Sequence, residues 1–162
     1  MKQLLIIRHA KSSWNNSLMT DFERPLNDRG NRDAPEMAKR IIDKGIKIDT
    51  IVSSMANRAL STSEYFAKAA GIKNSEIVTT NKLYHAPAYV FYDVINSFED
   101  SYHTVAIFAH NPGITDFVNE LTETKIDDMP TCGIYAVKIA IESWDEFKNG
   151  DKQFWFFDAP KL

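Results

Sequence analysis

The feature that most constrains this chain is a repeated local pattern. A short, unbroken apolar run is followed by a stretch of helical periodicity, with polar residues at the junction. Leu4–Ile7 (LLII) is one such run, Asp49–Ser54 (DTIVSS) a second and Thr104–His110 (TVAIFAH) a third. Continuous rather than alternating apolar residues are what a strand buried on both faces requires. Elsewhere the spacing changes to i, i+3, i+4, i+7, which marks one face of a helix. Ala34, Met37, Ala38, Ile41 and Ile42 form one such stripe, with Gly45 placed as a C-terminal cap. Ala59, Leu60, Ser63 and Ala67 form another in a helix ending near Gly71; Phe91, Val94, Ile95 and Phe98, then Ile114, Phe117, Val118 and Leu121, complete the set. The alternation predicts an α/β fold, a three-layer α/β/α sandwich with a mostly parallel sheet. Near the C-terminus GIYAVKIAI and QFWFF read as two more strands turning at Asn149-Gly150, which predicts an antiparallel edge strand.

At 162 residues the chain fits one domain, 1–162. A domain of this size buries roughly 70% of its unfolded surface, so neither metal nor disulfide is needed to hold it together. Its single cysteine, Cys132, excludes an intrachain disulfide and suits a reducing compartment. The Leu4–Ile7 run is too short for a signal-peptide core, and no apolar run approaches the roughly 18 residues of a membrane span. A soluble, cytoplasmic protein is expected. With 19 Lys+Arg against 22 Asp+Glu the net charge is -3, which lacks the basic footprint of a nucleic-acid binder but leaves room for a small positive site.

In open α/β sheets ligands bind beyond the carboxyl ends of the strands. The first strand runs into Arg8-His9, with Lys11 following. The second ends at Ser53-Ser54, with Arg58 at the start of the next helix. The third ends at His110, before Asn111-Pro112-Gly113. Parallel strands would bring two arginines and two histidines to one edge. Arg58 can point back toward that edge because helical side chains tilt toward the N-terminus. A helix starting at Pro112-Gly113 would add unpaired N–H groups and a positive dipole end. Guanidinium forks and helix N-termini both suit phosphate.

A lone Arg at a strand end is ordinarily an ion-pair former, and a lone His there a hydrogen-bonded structural residue. Joint occurrence on three strands makes the functional reading the stronger one. His103 reads as a solvated loop residue, Cys132 as a small packed one, and Phe154-Trp155-Phe156-Phe157 as a packed strand rather than a stacking platform. The chain contains no P-loop, dinucleotide fingerprint, nucleophile elbow or H-E-x-x-H motif. Its histidines lack metal-ligand spacing, so neither metal nor cofactor is expected.

The segments RHAKSSW (8–14), DFERPLNDRG (21–30), SSMANRALSTSEYF (53–66), LYHA (83–86), HNPGITDF (110–117) and MPTCGIYAV (129–137) together resemble the histidine phosphatase superfamily. The look is closest to its short branch, the SixA-type phosphohistidine phosphatases, and extends over nearly the whole chain. The resemblance implies that His9 is the nucleophile carrying the phosphoryl group. It implies that Arg8 and Arg58 are the paired arginines of the phosphate pocket, and that His110 is the second histidine on the same phosphate. Thr62 matches a helix position of structural character, and Asp21 and Arg24 match a recurring loop. Ala10 stands where the signature usually has glycine. No carboxylic acid matches the general acid of larger relatives, and His85 and Asp93 are the nearest candidates. A phosphohistidine leaving group is a nitrogen that can already carry a proton, so this gap favours phosphoramidate substrates. The expectation is a metal-independent phosphatase acting on a phosphorylated protein. A small-molecule phosphomonoesterase, a mutase, or a non-catalytic phosphate- or phosphoprotein-binding module are the alternatives.

Overall fold

The computed structural model describes residues 1–14 and 18–162. In chain order the elements are β1 (Lys2–Arg8), α1 (Asp28–Asp43), β2 (Thr50–Ser54), α2 (Asn57–Ala70), β3 (Val78–Thr80), α3 (Ala88–Asn96), β4 (Thr104–Ala109), α4 (Gly113–Val118), β5 (Ile134–Ile139) and β6 (Lys152–Asp158). The strands form one sheet in the order β3-β2-β4-β1-β5-β6. β1, β2, β3 and β4 are mutually parallel, as the buried apolar runs predict.

Alternate residues of the central strands enter two separate cores. Leu4, Ile6, Val105 and Ile107 pack with Phe91, Ile95, Ile114 and Phe117 of α3 and α4. Leu5, Ile7, Ala106 and Phe108 pack with Met37 and Ile41 of α1 and Phe66 of α2. Both faces of the sheet are thus covered, which is the three-layer sandwich. Ile42, read from the periodicity as part of the α1 stripe, is 38% exposed; the buried stripe ends at Ile41. Helix α1 also starts well before the apolar stripe, where the Asn27 side chain accepts the Gly30 N–H at 2.9 Å.

The antiparallel element expected at the C-terminal edge is present: the edge strand β6 pairs antiparallel with β5, and β5, itself antiparallel to β1, is the strand reversed against the parallel set. The turn between them departs from expectation. Asn149-Gly150 is not a two-residue hairpin. Residues 140–151 form a longer connection containing a short turn at Trp144–Glu146, and the fully buried Trp144 anchors it to the core. The aromatic run lies in β6, as expected. A bulge between Ala136 and Val137 places Phe154 and Phe157 against one core and Trp155 and Phe156 against the other. The short β3 escapes the sequence reading because its three residues, Val78–Thr80, are too few to show a period.

Register sets up the site. Arg8 pairs with Ala109 across β1 and β4, so His9 and His110 are the next residue on each strand. Ser53 pairs with Phe108, which sets Ser54 beside them.

Candidate active site

His9, Arg58 and His110 are buried, at 6%, 3% and 2% exposure, and with the half-buried Arg8 they line one cleft of about 270 Å³ at the carboxyl ends of the strands. The rings of His9 and His110 lie 5.1 Å apart. The groups expected from three strands therefore do converge on one small volume. Larger hollows exist, such as one of about 530 Å³ lined by Asn31, Tyr65 and Lys68, but they gather no such set.

The state of His9 follows from its contacts. Its Nδ1 is 2.7 Å from the Ala10 carbonyl oxygen, which can only accept, so Nδ1 carries the proton and Nε2 keeps its lone pair. The Arg58 Nε–H points at Nε2 from 3.4 Å. Burial, followed by the charges of Arg58, Arg8 and Arg24, pushes the His9 pKa down to about 3. Burial, not the neighbouring arginines alone, is thus the main reason the ring is neutral. His110 is pushed down to about 2 by burial and then by His9, Arg58 and His85. At neutral pH both imidazoles are uncharged, and the buried positive charge of the cleft is carried by guanidinium groups.

The loop after β1 is held rigidly. The Ala10 N–H donates to Thr62 Oγ1 at 3.0 Å, and the Thr62 hydroxyl donates to the Arg58 carbonyl at 2.7 Å. One buried hydroxyl thereby ties the residue after His9 to the turn carrying Arg58. Ala10 is itself fully buried, so the small side chain is accommodated. From the other side, the Cys132 N–H reaches the carbonyls of Arg8 and His9, at 3.1 and 3.0 Å. Cys132 is buried, and that burial pushes its thiol pKa up, which makes it the packed residue expected from the sequence. His103 is likewise an exposed loop residue.

The sequence marks Asp21 and Arg24 without assigning them a role, and the fold supplies one. Asp21 accepts from Arg58 Nη2 at 3.0 Å, Tyr84 Oη at 2.6 Å and Arg24 Nη1 at 2.8 Å, while its backbone carbonyl accepts from Arg58 Nη1 at 2.7 Å. His85 Nε2 lies 3.1 Å from the same carboxylate. Despite some burial, the Tyr84, Arg58 and His85 contacts hold Asp21 well below the usual carboxylate range. It is therefore ionised and fixes the Arg58 fork. Arg24 also bonds Ser12 Oγ and the Ser13 carbonyl, and its guanidinium stacks 3.2 Å over the exposed ring of Trp14. Arg8 is steered by the Met129 carbonyl, which accepts from Nη1 at 2.7 Å.

The two proton-donor candidates separate. His85 lines the cleft, 5.7 Å from the His110 ring, whereas Asp93 is exposed on α3 and takes no part in the cleft. The α4 N-terminus, expected to add N–H groups, is not among the residues that line the cleft. That helix has six residues, and Gly113 packs so closely on Ala86 that a Cβ there would come within 1.7 Å of the Ala86 carbonyl oxygen. Asn111 lines the cleft instead. Tyr84 and Asp128 are contributors that periodicity could not single out: Tyr84 donates to the Asp21 carboxylate, and Asp128 accepts from the Asn111 side chain at 2.8 Å.

A cleft of this design can hold a tetrahedral oxyanion against an unprotonated imidazole nitrogen. Known proteins are similar to the chain in fold and in sequence. SixA from Agrobacterium tumefaciens has a TM-score of 0.82, with 23% identity over 98% of each chain. The protein histidine phosphatase SixA complexed with tungstate also scores 0.82, with 19% identity over 98% of this chain and 97% of that one. An uncharacterized chloroplastic protein of Arabidopsis thaliana is 25% identical over 153 residues, 90% of this chain and 70% of that protein. The 2,3-bisphosphoglycerate-dependent phosphoglycerate mutase of Bartonella tribocorum is 29% identical over 84 residues, 51% of this chain, and the match spans only 41% of the mutase. A family model matches residues 4–84, the half that contributes Arg8, His9, Asp21 and Arg58, and on that match the chain belongs to the histidine phosphatase superfamily (branch 1).

Proposed function

We propose that this protein is a phosphatase that carries the phosphoryl group on His9 Nε2 and removes phosphate from a phosphohistidine of another protein. The observation that carries the reading is the state of His9. Its Nδ1 proton is committed to the Ala10 carbonyl, and its lone-pair nitrogen faces the Arg58 guanidinium.

In the first step the Nε2 lone pair forms a bond to phosphorus as the bond from phosphorus to the leaving nitrogen breaks, and that nitrogen takes up a proton. In the second, water attacks the phosphohistidine, giving inorganic phosphate and free His9. The transition state is loose and anionic, so catalysis is mostly positioning and charge stabilisation. Arg8, Arg58 and His110 grip the non-bridging oxygens, and two guanidinium charges balance the phosphate dianion, so the chemistry calls for no metal.

The substrate class is supported by the cleft's acid–base inventory. Asp21 is the one carboxylate among the described residues that line it, and that carboxylate is held ionised by its partners. An alkoxide leaving group needs a strong proton donor; a protonatable nitrogen needs less help. A protein bearing phosphohistidine is the partner we propose, with the cytoplasm as the setting.

The experiment compares a phosphohistidine protein with sugar, glycerate and aryl phosphates as substrates. His9→Ala should lose at least ~10³-fold in rate, about 4 kcal/mol of barrier. Base-stable, acid-labile phosphate should be trapped on the wild-type enzyme. Faster turnover of a small phosphoester would move the reading to a phosphomonoesterase, and exchange of phosphate between hydroxyls to a mutase. Phosphate binding without turnover of any substrate would make it a binding module.

A further inference from the structure

His110 is 2% exposed, and its two ring nitrogens differ. Nε2 lies 2.8 Å from Ser54 Oγ, while Nδ1 is buried and has no hydrogen-bond partner among the described residues. Ser54 is fully buried, and its Oγ accepts the Ala56 N–H at 3.2 Å. Among the described residues, His110 Nε2 is then the one acceptor available to the Ser54 hydroxyl proton.

Counting unsatisfied groups decides between the tautomers. With the proton on Nε2, two groups would be stranded: the Ser54 O–H without an acceptor and the Nδ1 lone pair without a donor. With the proton on Nδ1, Ser54 donates to Nε2, and only the Nδ1–H is left over. A buried polar group without a partner is costly and calls for an explanation. A bound phosphoryl group supplies one, because its unprotonated oxygens can only accept.

We infer that Ser54 is a positioning residue: its hydroxyl, polarised by the Ala56 N–H, holds His110 as the Nδ1–H tautomer, so that Nδ1 donates to a phosphate oxygen beside His9. The hydrogen bond at one ring nitrogen fixes what the other can do. This assignment deepens the phosphatase reading, yet the tautomer itself is measurable whether or not the protein hydrolyses anything.

Nitrogen NMR of the imidazole-labelled full chain near neutral pH is the test. The wild-type protein should show a protonated, pyrrole-like Nδ1 and an unprotonated, pyridine-like Nε2 at His110; the reverse pattern overturns the inference outright. Ser54→Ala should shift His110 toward the Nε2–H tautomer. It should weaken competitive inhibition by inorganic phosphate and lower kcat/KM on an aryl phosphate by about 10- to 100-fold, as loss of a histidine-orienting partner does. Ser54→Thr, which keeps the hydroxyl, should restore both the spectrum and the rate. An Ala variant with unchanged tautomer and unchanged rate overturns the inference. If that variant fails to fold, the wild-type spectrum alone decides. A correct tautomer in a protein with no phosphatase activity would sink the proposed function and leave this assignment standing.

Discussion

One guanidinium, that of Arg58, is shared between His9 and Asp21: its Nε–H points at His9 Nε2 from 3.4 Å while Nη1 and Nη2 grip the Asp21 carbonyl and carboxylate at 2.7 and 3.0 Å. The nucleophile candidate and the loop before α1 are thereby tied together by a single rigid fork.

Arg58→Lys should therefore lose more than a charge would suggest. An ammonium is a point charge on a flexible stem and cannot hold Asp21 twice while facing His9. A fall of about 100-fold in kcat/KM is expected, roughly 2.7 kcal/mol. Asp21→Asn, which keeps the shape but removes the charge that fixes the fork, should cost roughly tenfold. Steady-state kinetics on an aryl phosphate measures both; wild-type values for Arg58→Lys would place this guanidinium outside the reaction.

Thr62→Val tests how the loop after β1 is held. The buried Ala10 N–H would lose its acceptor, which costs roughly 1–3 kcal/mol of stability. Denaturant titration should show that loss, together with reduced turnover as His9 loses its fixed orientation. Unchanged stability would mean that the Ala10 N–H finds another acceptor.

His85 and Asp93 make opposite predictions. His85→Ala should slow hydrolysis of an alkyl phosphate, whose alkoxide needs a proton, by on the order of 10²-fold if the ring supplies it. The effect on a phosphoramidate should be several-fold smaller. Asp93→Asn should leave both rates unchanged, because Asp93 stands outside the cleft. Equal effects of His85→Ala on the two leaving groups would remove this ring from proton donation.

Stability should depend on pH through the two buried imidazoles. Their folded pKa values, about 3 for His9 and about 2 for His110, lie below the ordinary unfolded value of about 6.5. Between those limits the unfolded chain binds more protons, so acid favours unfolding. The contribution is fully present above about pH 6.5 and is lost as pH falls toward 3, by up to about 1.4 kcal/mol per pH unit for each ring. Urea melts between about pH 7 and pH 4 should show the decline, and replacing both histidines with Gln should flatten it. A profile unaltered by that double substitution would show that neither ring is held neutral.

The apolar runs and stripes carried most of the fold. Each short buried strand must be apolar on both faces, and each helix must turn an apolar stripe to the sheet, so hydrophobic spacing alone exposes β1, β2, β4 and the cores of α1 to α4. The same runs mark where the strands stop, and hence Arg8, His9, Ser54 and His110. Ile42 failed because periodicity cannot show where a neighbouring layer ends. The reach of the connection after β5 failed because Asn149-Gly150 marks a turn but not the length of the loop around it.

Residue types and strand ends are local properties, written in the order of the chain, and they determined which groups could meet. What holds the loop after His9, the His110 ring and the Arg58 fork is set by partners dozens of residues away: Thr62 for the loop, Ser54 for His110, Asp21 for the guanidinium. Hydrogen-bond geometry and burial exist only once register has placed those groups side by side, so the tertiary structure alone decided them.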